Sequence, residues 1–212
     1  MPSPLTVSRN DYRRNPKPST IYTPPGVASF LFDILYNSMS YNVLRHPQFK
    51  TVLDPAIGTG RLTDPWKKAG CRVLGCDIDP HVDESQCDFC HTGRFEDITD
   101  KTMLAEADVV VCNPPFNGAA GKRLYPEVFL SHVFTLFRPT MPVAMFTPMG
   151  FRLNQRIRST RWRWLRDCGA RITSVVSLPL DVFPGVEFHC EVVIFNVHGV
   201  QPHYFLPEEA LR

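Results

Sequence analysis

Three short stretches hold residue types whose spacing could do chemistry. The first is Asp54-Pro55-Ala56-Ile57-Gly58-Thr59-Gly60. A carboxylate leads it, and Gly58 and Gly60 let the backbone turn sharply and come close to a ligand. A carboxylate at a strand end can take hydrogen bonds from an amino group. The second is Asp77-Ile78-Asp79, about 20 residues further on, where an acid can accept hydrogen bonds from both hydroxyls of a ribose. The glycine spacing is not that of a dinucleotide fingerprint, and no Gly-Lys-Ser/Thr follows to make a P-loop. The third is Asn113-Pro114-Pro115-Phe116. Tandem prolines stiffen the backbone and remove two N–H donors. The Asn113 side-chain oxygen and the Pro114 carbonyl remain as two acceptors. Two acceptors can hold both hydrogens of one NH2 group, and Phe116 can lie flat against a planar ring. The set suits an exocyclic amine on a heterocycle, or an amide.

These stretches need elements to bring them together. Thr23-Pro-Pro-Gly to Met39 predicts a helix, with Pro25 at its start and Val27, Phe30, Leu31, Ile34 and Leu35 at helical spacing. Strands are predicted at Lys50–Ala56, Cys71–Asp79 and Ala107–Phe116, with a weaker one near Asp88–Phe95. A short helix around Trp66-Lys67-Lys68 separates the first two. A helix follows at Tyr125–Phe137, a strand at Pro142–Pro148, a basic helix over residues 152–168, and two final strands at Ala170–Pro179 and Cys190–Gly199. Strands separated by helices imply an α/β fold with a doubly wound, mostly parallel sheet. The last two strands have no helix between them, so one of them runs antiparallel. Seven strands are expected. Ligands of such sheets bind beyond the carboxyl ends of the strands, where all three stretches fall.

The chain has 212 residues, 43% of them hydrophobic and 21% charged, with a formal net charge of +2. That length suits one domain with its own core, and the composition excludes wholesale disorder. Residues 1–20 read as a flexible basic arm, 21–200 as a single domain and 201–212 as a C-terminal tail. No apolar run approaches the roughly 18 residues a membrane span needs, and the N-terminus shows no apolar core of a signal peptide. A cytoplasmic protein is expected. Seven cysteines, mostly inside apolar runs, fit reduced thiols better than a disulfide framework. Cys87-x-x-Cys90-His91, with His81 upstream, supplies half a zinc site and no second pair follows, so no metal is expected. His132 and His189 lie in apolar surroundings and read as packed side chains.

The motifs together resemble the class I S-adenosylmethionine-dependent amino-methyltransferases, in particular the adenine-N6 branch with its (D/N/S)-P-P-(Y/F/W) motif. The resemblance covers about residues 20–198. It implies a Rossmann-like methyltransferase fold and S-adenosyl-L-methionine as cofactor. Asn113, Pro114, Pro115 and Phe116 would be the catalytic tetrapeptide. Asp54, Pro55, Ala56, Gly58 and Gly60 would form the methionine-binding turn, and Asp77, with Ile78 beside it at the cofactor, the acidic ribose position. Tyr22 and Thr23 would close over the methionine end, with Asn113 also near the cofactor. Their place ahead of the Gly-rich turn is the motif order of the gamma group. Members commonly carry Asp-Phe after the third strand to hold the adenine. This chain has Gly93-Arg94-Phe95-Glu96-Asp97 instead, and Phe95 with Asp97 is assigned to that place. The late segment Leu178–Val197 resembles the hairpin whose Phe-Pro turn helps hold a flipped base, which makes Phe183 a second stacking residue.

The resemblance thus implies methyl transfer to the N6 amino group of adenine in DNA. No separate target-recognition domain is visible, so sequence preference would come from loops or from a specificity partner protein. The alternatives are adenine in RNA, a glutamine amide on a protein, or a non-catalytic subunit that only binds nucleic acid. Residues 152–171 hold seven arginines and one acid, with Trp162 and Trp164 among them. Arg152 and Arg156 are expected to meet substrate phosphates. Lys122 and Arg123, after the small-residue run 117–121, are expected beside the substrate as well.

Overall fold

The structure, a computed structural model, describes residues 21–40, 50–80, 82, 84–99, 104, 106–116, 123–153, 156–183 and 189–211. The arm at 1–20, His81, the run 117–121, Lys122 and the Phe-Pro turn after Phe183 lie outside the described residues. An eight-stranded sheet forms the centre. Its strands are β1 (Thr51–Asp54), β2 (Arg72–Asp77), β3 (Phe89–Thr92), β4 (Val109–Cys112), β5 (Val143–Pro148), β6 (Ile172–Ser177), β7 (Cys190–Phe195) and β8 (His203–Phe205). Their order is β3-β2-β1-β4-β5-β7-β6-β8. β7 runs antiparallel to both its neighbours, and the other pairings are parallel. The doubly wound α/β expectation holds, including its one antiparallel strand near the C-terminus.

The central strands are short apolar runs because both of their faces are covered. Every residue of β1, β4 and β7 is buried. Helix α1 (Pro25–Ser40) begins at Pro25, whose missing N–H is no loss in a first turn. It presses Val27, Ala28, Leu31, Ile34 and Leu35 onto one face of the sheet, beside Trp66 from the short helix α2 (Asp64–Lys68). The opposite face is covered by α3 (Tyr125–Leu136), through Phe129, Leu130, Val133 and Phe134. Trp164 of α4 (Thr160–Asp167) stacks near Phe134, with ring centroids 6.4 Å apart.

Two expectations change. The basic helix is shorter than 152–168. Met149–Phe151 form a 3-10 turn, and α4 starts at Thr160, where the Ser159 hydroxyl accepts from the Trp162 N–H at 3.1 Å. The segment 201–212 is more than a tail. It supplies β8 and a 3-10 turn at Glu208–Leu211, Leu206 is buried, and the Tyr204 ring meets Phe30 of α1 edge-on at 6.3 Å. Its strand character escapes periodicity because β8 has only three residues, paired on one side with β6.

No disulfide joins any of the seven cysteines. Burial pushes the Cys76 and Cys190 thiols up to about 12, so both stay protonated and inert. No group of three or more metal-ligating side chains occurs among the described residues. No described helix is long and apolar enough to cross a membrane.

Candidate active site

β1, β2 and β4 lie side by side and parallel, so the three chemical stretches leave the sheet at one edge. There they wall a cavity of about 660 Å³, within the range of small-molecule sites. Its lining includes Tyr22, Thr23, Asp54, Pro55, Ala56, Gly58, Asp77, Ile78, Phe95, Asn113, Pro114, Pro115 and Phe116.

The turn after β1 is built by Gly58 and Gly60, which sit at φ +51° and +73°. A side chain at Gly60 would also collide with Gln86, its Cβ falling 2.8 Å from that of Gln86. Gly60 therefore shapes the turn without lining the cavity. The Gly58 N–H donates to Asp77 Oδ2 at 2.8 Å, and the Asp79 N–H to Asp77 Oδ1 at 3.0 Å. These bonds tie the turn after β1 to the acid that ends β2. Asp54 is 1% exposed, and its Oδ1 accepts from the Ala56 N–H at 3.0 Å. Burial pushes its carboxyl from the ordinary 3.8 up to about 7, with the nearby charge of Asp77 acting in the same direction.

Asn113 follows β4, and its Nδ2 donates to Thr23 Oγ1 at 3.1 Å across 90 residues of chain. Thr23 is 4% exposed, so the bond is sheltered from water. With the nitrogen so engaged, the amide oxygen is the group left to accept from a ligand. Phe116 is 9% exposed and lines the same cavity. Tyr22 stands at the mouth, half out in solvent, with the Arg61 guanidinium 5.7 Å above its ring.

Several expected residues sit elsewhere. Asp97 lines a separate depression with His91 and Thr99 rather than the main cavity, which receives Glu96. The 3-10 turn Phe95–Asp97 rotates neighbouring side chains by about a third of a turn, so spacing does not show which acid turns inward. Glu96 accepts from Arg94 Nη2 at 2.8 Å. Phe95 is 1% exposed, its ring packed against Phe129 and His132 at 5.4 and 4.9 Å. His132 is packed as expected, with Nε2 2.9 Å from the Ile98 carbonyl, whereas His189 is exposed at the start of β7.

Phe183 is the largest correction. It is 1% exposed and packs against Phe146 of β5, with ring centroids 6.1 Å apart. A ring in that position fills the core and does not stack on a ligand. Phe183→Ala is expected to lower folding stability by about 3–5 kcal/mol, as deletion of a buried ring does. Denaturant unfolding checks it, and a change under 1 kcal/mol would return Phe183 to the surface.

The basic segment also divides. Arg152 is bound to buried Glu191 of β7 through Nε (3.2 Å) and Nη2 (2.9 Å). Arg161 reaches Glu127 in the first turn of α3 at 2.8 Å and the Gly150 carbonyl at 3.1 Å. Both are internal struts, and Arg152 spends Nε and Nη2 and most of its charge on Glu191 rather than on a substrate phosphate. Arg123 and Arg156 are exposed.

Residue chemistry read along the chain missed Arg61, Glu96 and the cavity walls Tyr125 and Phe129. Arg61 carried one signal, its place directly after the Gly-rich turn. Tyr125 and Phe129 reach the cavity from the first turns of α3, and nothing in their own stretch marks them.

No family model matches the chain, and no curated protein matches it. Solved structures do. The methyltransferase subunit of a type I restriction-modification system from Streptococcus thermophilus shares 18% identity and a TM-score of 0.61, over 87% of this chain and 47% of that one. A chain from a type I restriction-modification assembly gives 20% identity and a TM-score of 0.64, over 94% and 46%. A proposed RNA methyltransferase from Pyrococcus horikoshii gives 17% and 0.56, over 87% and 92%. At these identities the likeness shows the fold, a Rossmann-like class I methyltransferase fold. The chain spans about half the length of the type I neighbours.

Proposed function

We propose that this chain transfers a methyl group from S-adenosylmethionine to the exocyclic N6 amino group of adenine in DNA. The carrying observation is the Asn113 amide, fixed by Thr23 beside the Pro114-Pro115 turn on a cavity wall. Its oxygen and the Pro114 carbonyl accept the two amine hydrogens. That turns the nitrogen lone pair toward the methyl donor and stabilises the positive charge that develops as the bond forms. Phe116 lies against the base. A duplex base reaches such a cavity only by leaving the stack.

The cavity's donor set fits the cofactor. Asp54 takes the amino group of its methionine end, and Asp77 accepts from the ribose hydroxyls. Ile78, 67% exposed, lies at the adenine, with Phe95 packed in the wall behind it and Glu96 as the nearby carboxylate. When bound, the cofactor supplies a methyl group already activated on a sulfonium. Arg61 supplies the cation for the carboxylate end. It lines the cavity and has no acidic partner among the described residues, whereas Arg94 is paired with Glu96. Arg61→Ala is expected to weaken S-adenosylmethionine binding about tenfold, the scale of one exposed charge-assisted bond. Binding of the decarboxylated cofactor should not change. Calorimetry with both compounds checks it, and equal losses for the two would remove the assignment.

The choice of DNA rests on the motif order and on the shared fold with type I modification subunits. Recognition of a sequence then falls to loops or to a specificity partner. The test incubates the protein with methyl-labelled S-adenosylmethionine and, separately, duplex DNA, single-stranded DNA, structured RNA and a protein extract. N6-methyladenine in digested DNA is the expected product. Label in RNA or in glutamine would overturn the substrate while keeping the cofactor site. Cofactor binding without transfer to any of them would point to the missing partner.

A further inference from the structure

The seven arginines of residues 152–171 do not form one patch. Arg152 and Arg161 are spent on buried Glu191 and Glu127. Arg166 is paired with Asp167. Arg171 opens β6, where its N–H donates to Asn196 Oδ1 just beyond the end of β7. Because β6 runs parallel to β5, that position is at the amino edge of the sheet, away from the cavity. Arg156, Arg158 and Arg163 remain. All three are exposed, and none has an acid in ion-pair contact among the described residues.

Two exposed apolar side chains lie in the same short segment. Ile157 is 77% exposed between Arg156 and Arg158 in sequence, and Trp162 is 41% exposed beside Arg163. Exposed Ile157 and Trp162 among three exposed arginines make a mixed cationic and apolar surface, whose charge suits an anionic partner with stacking faces. The struts also place the segment. β5 lies next to β4 and parallel to it, so the chain after Pro148 leaves the sheet at the same edge as Asn113 to Phe116. Arg161 then fastens the start of α4 to Glu127, which sits between the cavity-lining Tyr125 and Phe129.

We propose that Arg156, Ile157, Arg158, Trp162 and Arg163 form a ridge that grips the DNA strand flanking the target base. The arginines meet phosphates, and Ile157 and Trp162 meet sugar and base faces. This rests on the reading of the chain as a DNA methyltransferase. It gives Arg152 and Arg161 a different part, since they hold the ridge at the cavity edge and touch no DNA.

The test is fluorescence anisotropy with a labelled mixed-sequence duplex and its single strand, titrated over salt concentration. Replacing Arg156, Arg158 and Arg163 by Ala is expected to reduce the slope of log K against log salt for the duplex by about 2 to 3, near 0.9 for each lost phosphate contact. Trp162→Ala is expected to weaken single-strand binding about tenfold with an unchanged slope, as loss of a stacking platform does. Trp162→Phe should retain the affinity and lose the tryptophan quenching that DNA produces. Arg138→Ala, an exposed arginine just ahead of β5 at the other edge, should change nothing. Unaltered S-adenosylmethionine affinity shows that each variant is folded. A parent protein that binds DNA with a steep slope, and variants that match it, would overturn the ridge and leave the function standing. A parent that binds cofactor and no DNA would overturn both the ridge and the DNA substrate.

Discussion

Asn113→Ala is expected to slow methyl transfer by about 100- to 1000-fold while S-adenosylmethionine affinity falls only a few-fold. The rate loss is the scale seen when one group that stabilises transition-state charge is deleted. The small affinity loss follows from the Asn113 bond to Thr23, which is part of the cavity wall. Removing the amide leaves the Thr23 hydroxyl, 4% exposed, without that partner, and the segment ahead of α1 loosens. Asn113→Asp keeps an oxygen acceptor, and its partner hydroxyl can reverse to donate, so this variant should retain more activity than Asn113→Ala. Single-turnover rates and calorimetry separate the two effects. Equal losses of binding and rate would make Asn113 a cofactor residue. Near-normal turnover in Asn113→Ala would remove the tetrapeptide from the chemistry altogether.

The second large effect belongs to Asp54 and is read through pH. Its folded pKa, about 7, lies above the ordinary 3.8, because burial disfavours the charged carboxylate and Asp77 adds to the penalty. The folded state therefore holds the proton more tightly than the unfolded chain. Stability from this group is fully present below about pH 4 and is lost as pH rises to about 7. The total is about 4 kcal/mol from a shift of this size. A cationic amino group beside Asp54 favours the ionised form. Below about pH 7, cofactor binding should then expel a proton, and affinity should climb toward tenfold per pH unit before levelling above 7. Asp54→Asn should flatten that profile, bind more weakly at pH 8, and unfold at higher denaturant than the parent at pH 8. Calorimetry in buffers of different ionisation enthalpy counts the released proton. A parent affinity that is flat from pH 6 to 8 would show that Asp54 does not meet the cation.

Much of this site is legible in the residues alone because its parts are local. Gly58 and Gly60 mark a turn that needs positive φ, and the structure has both there. Asp54 and Asp77 end consecutive buried strands, so a parallel sheet must bring them to one edge. Tandem prolines hold Asn113-Pro114-Pro115-Phe116 rigid whatever surrounds it. The apolar runs at β1, β2, β4, β5 and β7 announce covered strands, and Pro25 with its helical apolar spacing announces α1. The doubly wound sheet follows from their alternation.

Tertiary structure decided the rest, wherever an answer depends on what lies across space. Phe183 belongs to the core because Phe146 of another strand lies against it. Glu96 rather than Asp97 faces the cavity because a 3-10 turn sets which of two adjacent acids turns inward. Among the arginines, partners 34 and 39 residues away turn Arg161 and Arg152 into struts and leave Arg156, Arg158 and Arg163 outward. Three residues of β8 become a strand only because β6 offers an edge. Residue type and spacing thus determine what chemistry the chain carries. Long-range packing and pairing determine which of its many arginines, acids and aromatic rings are free to take part.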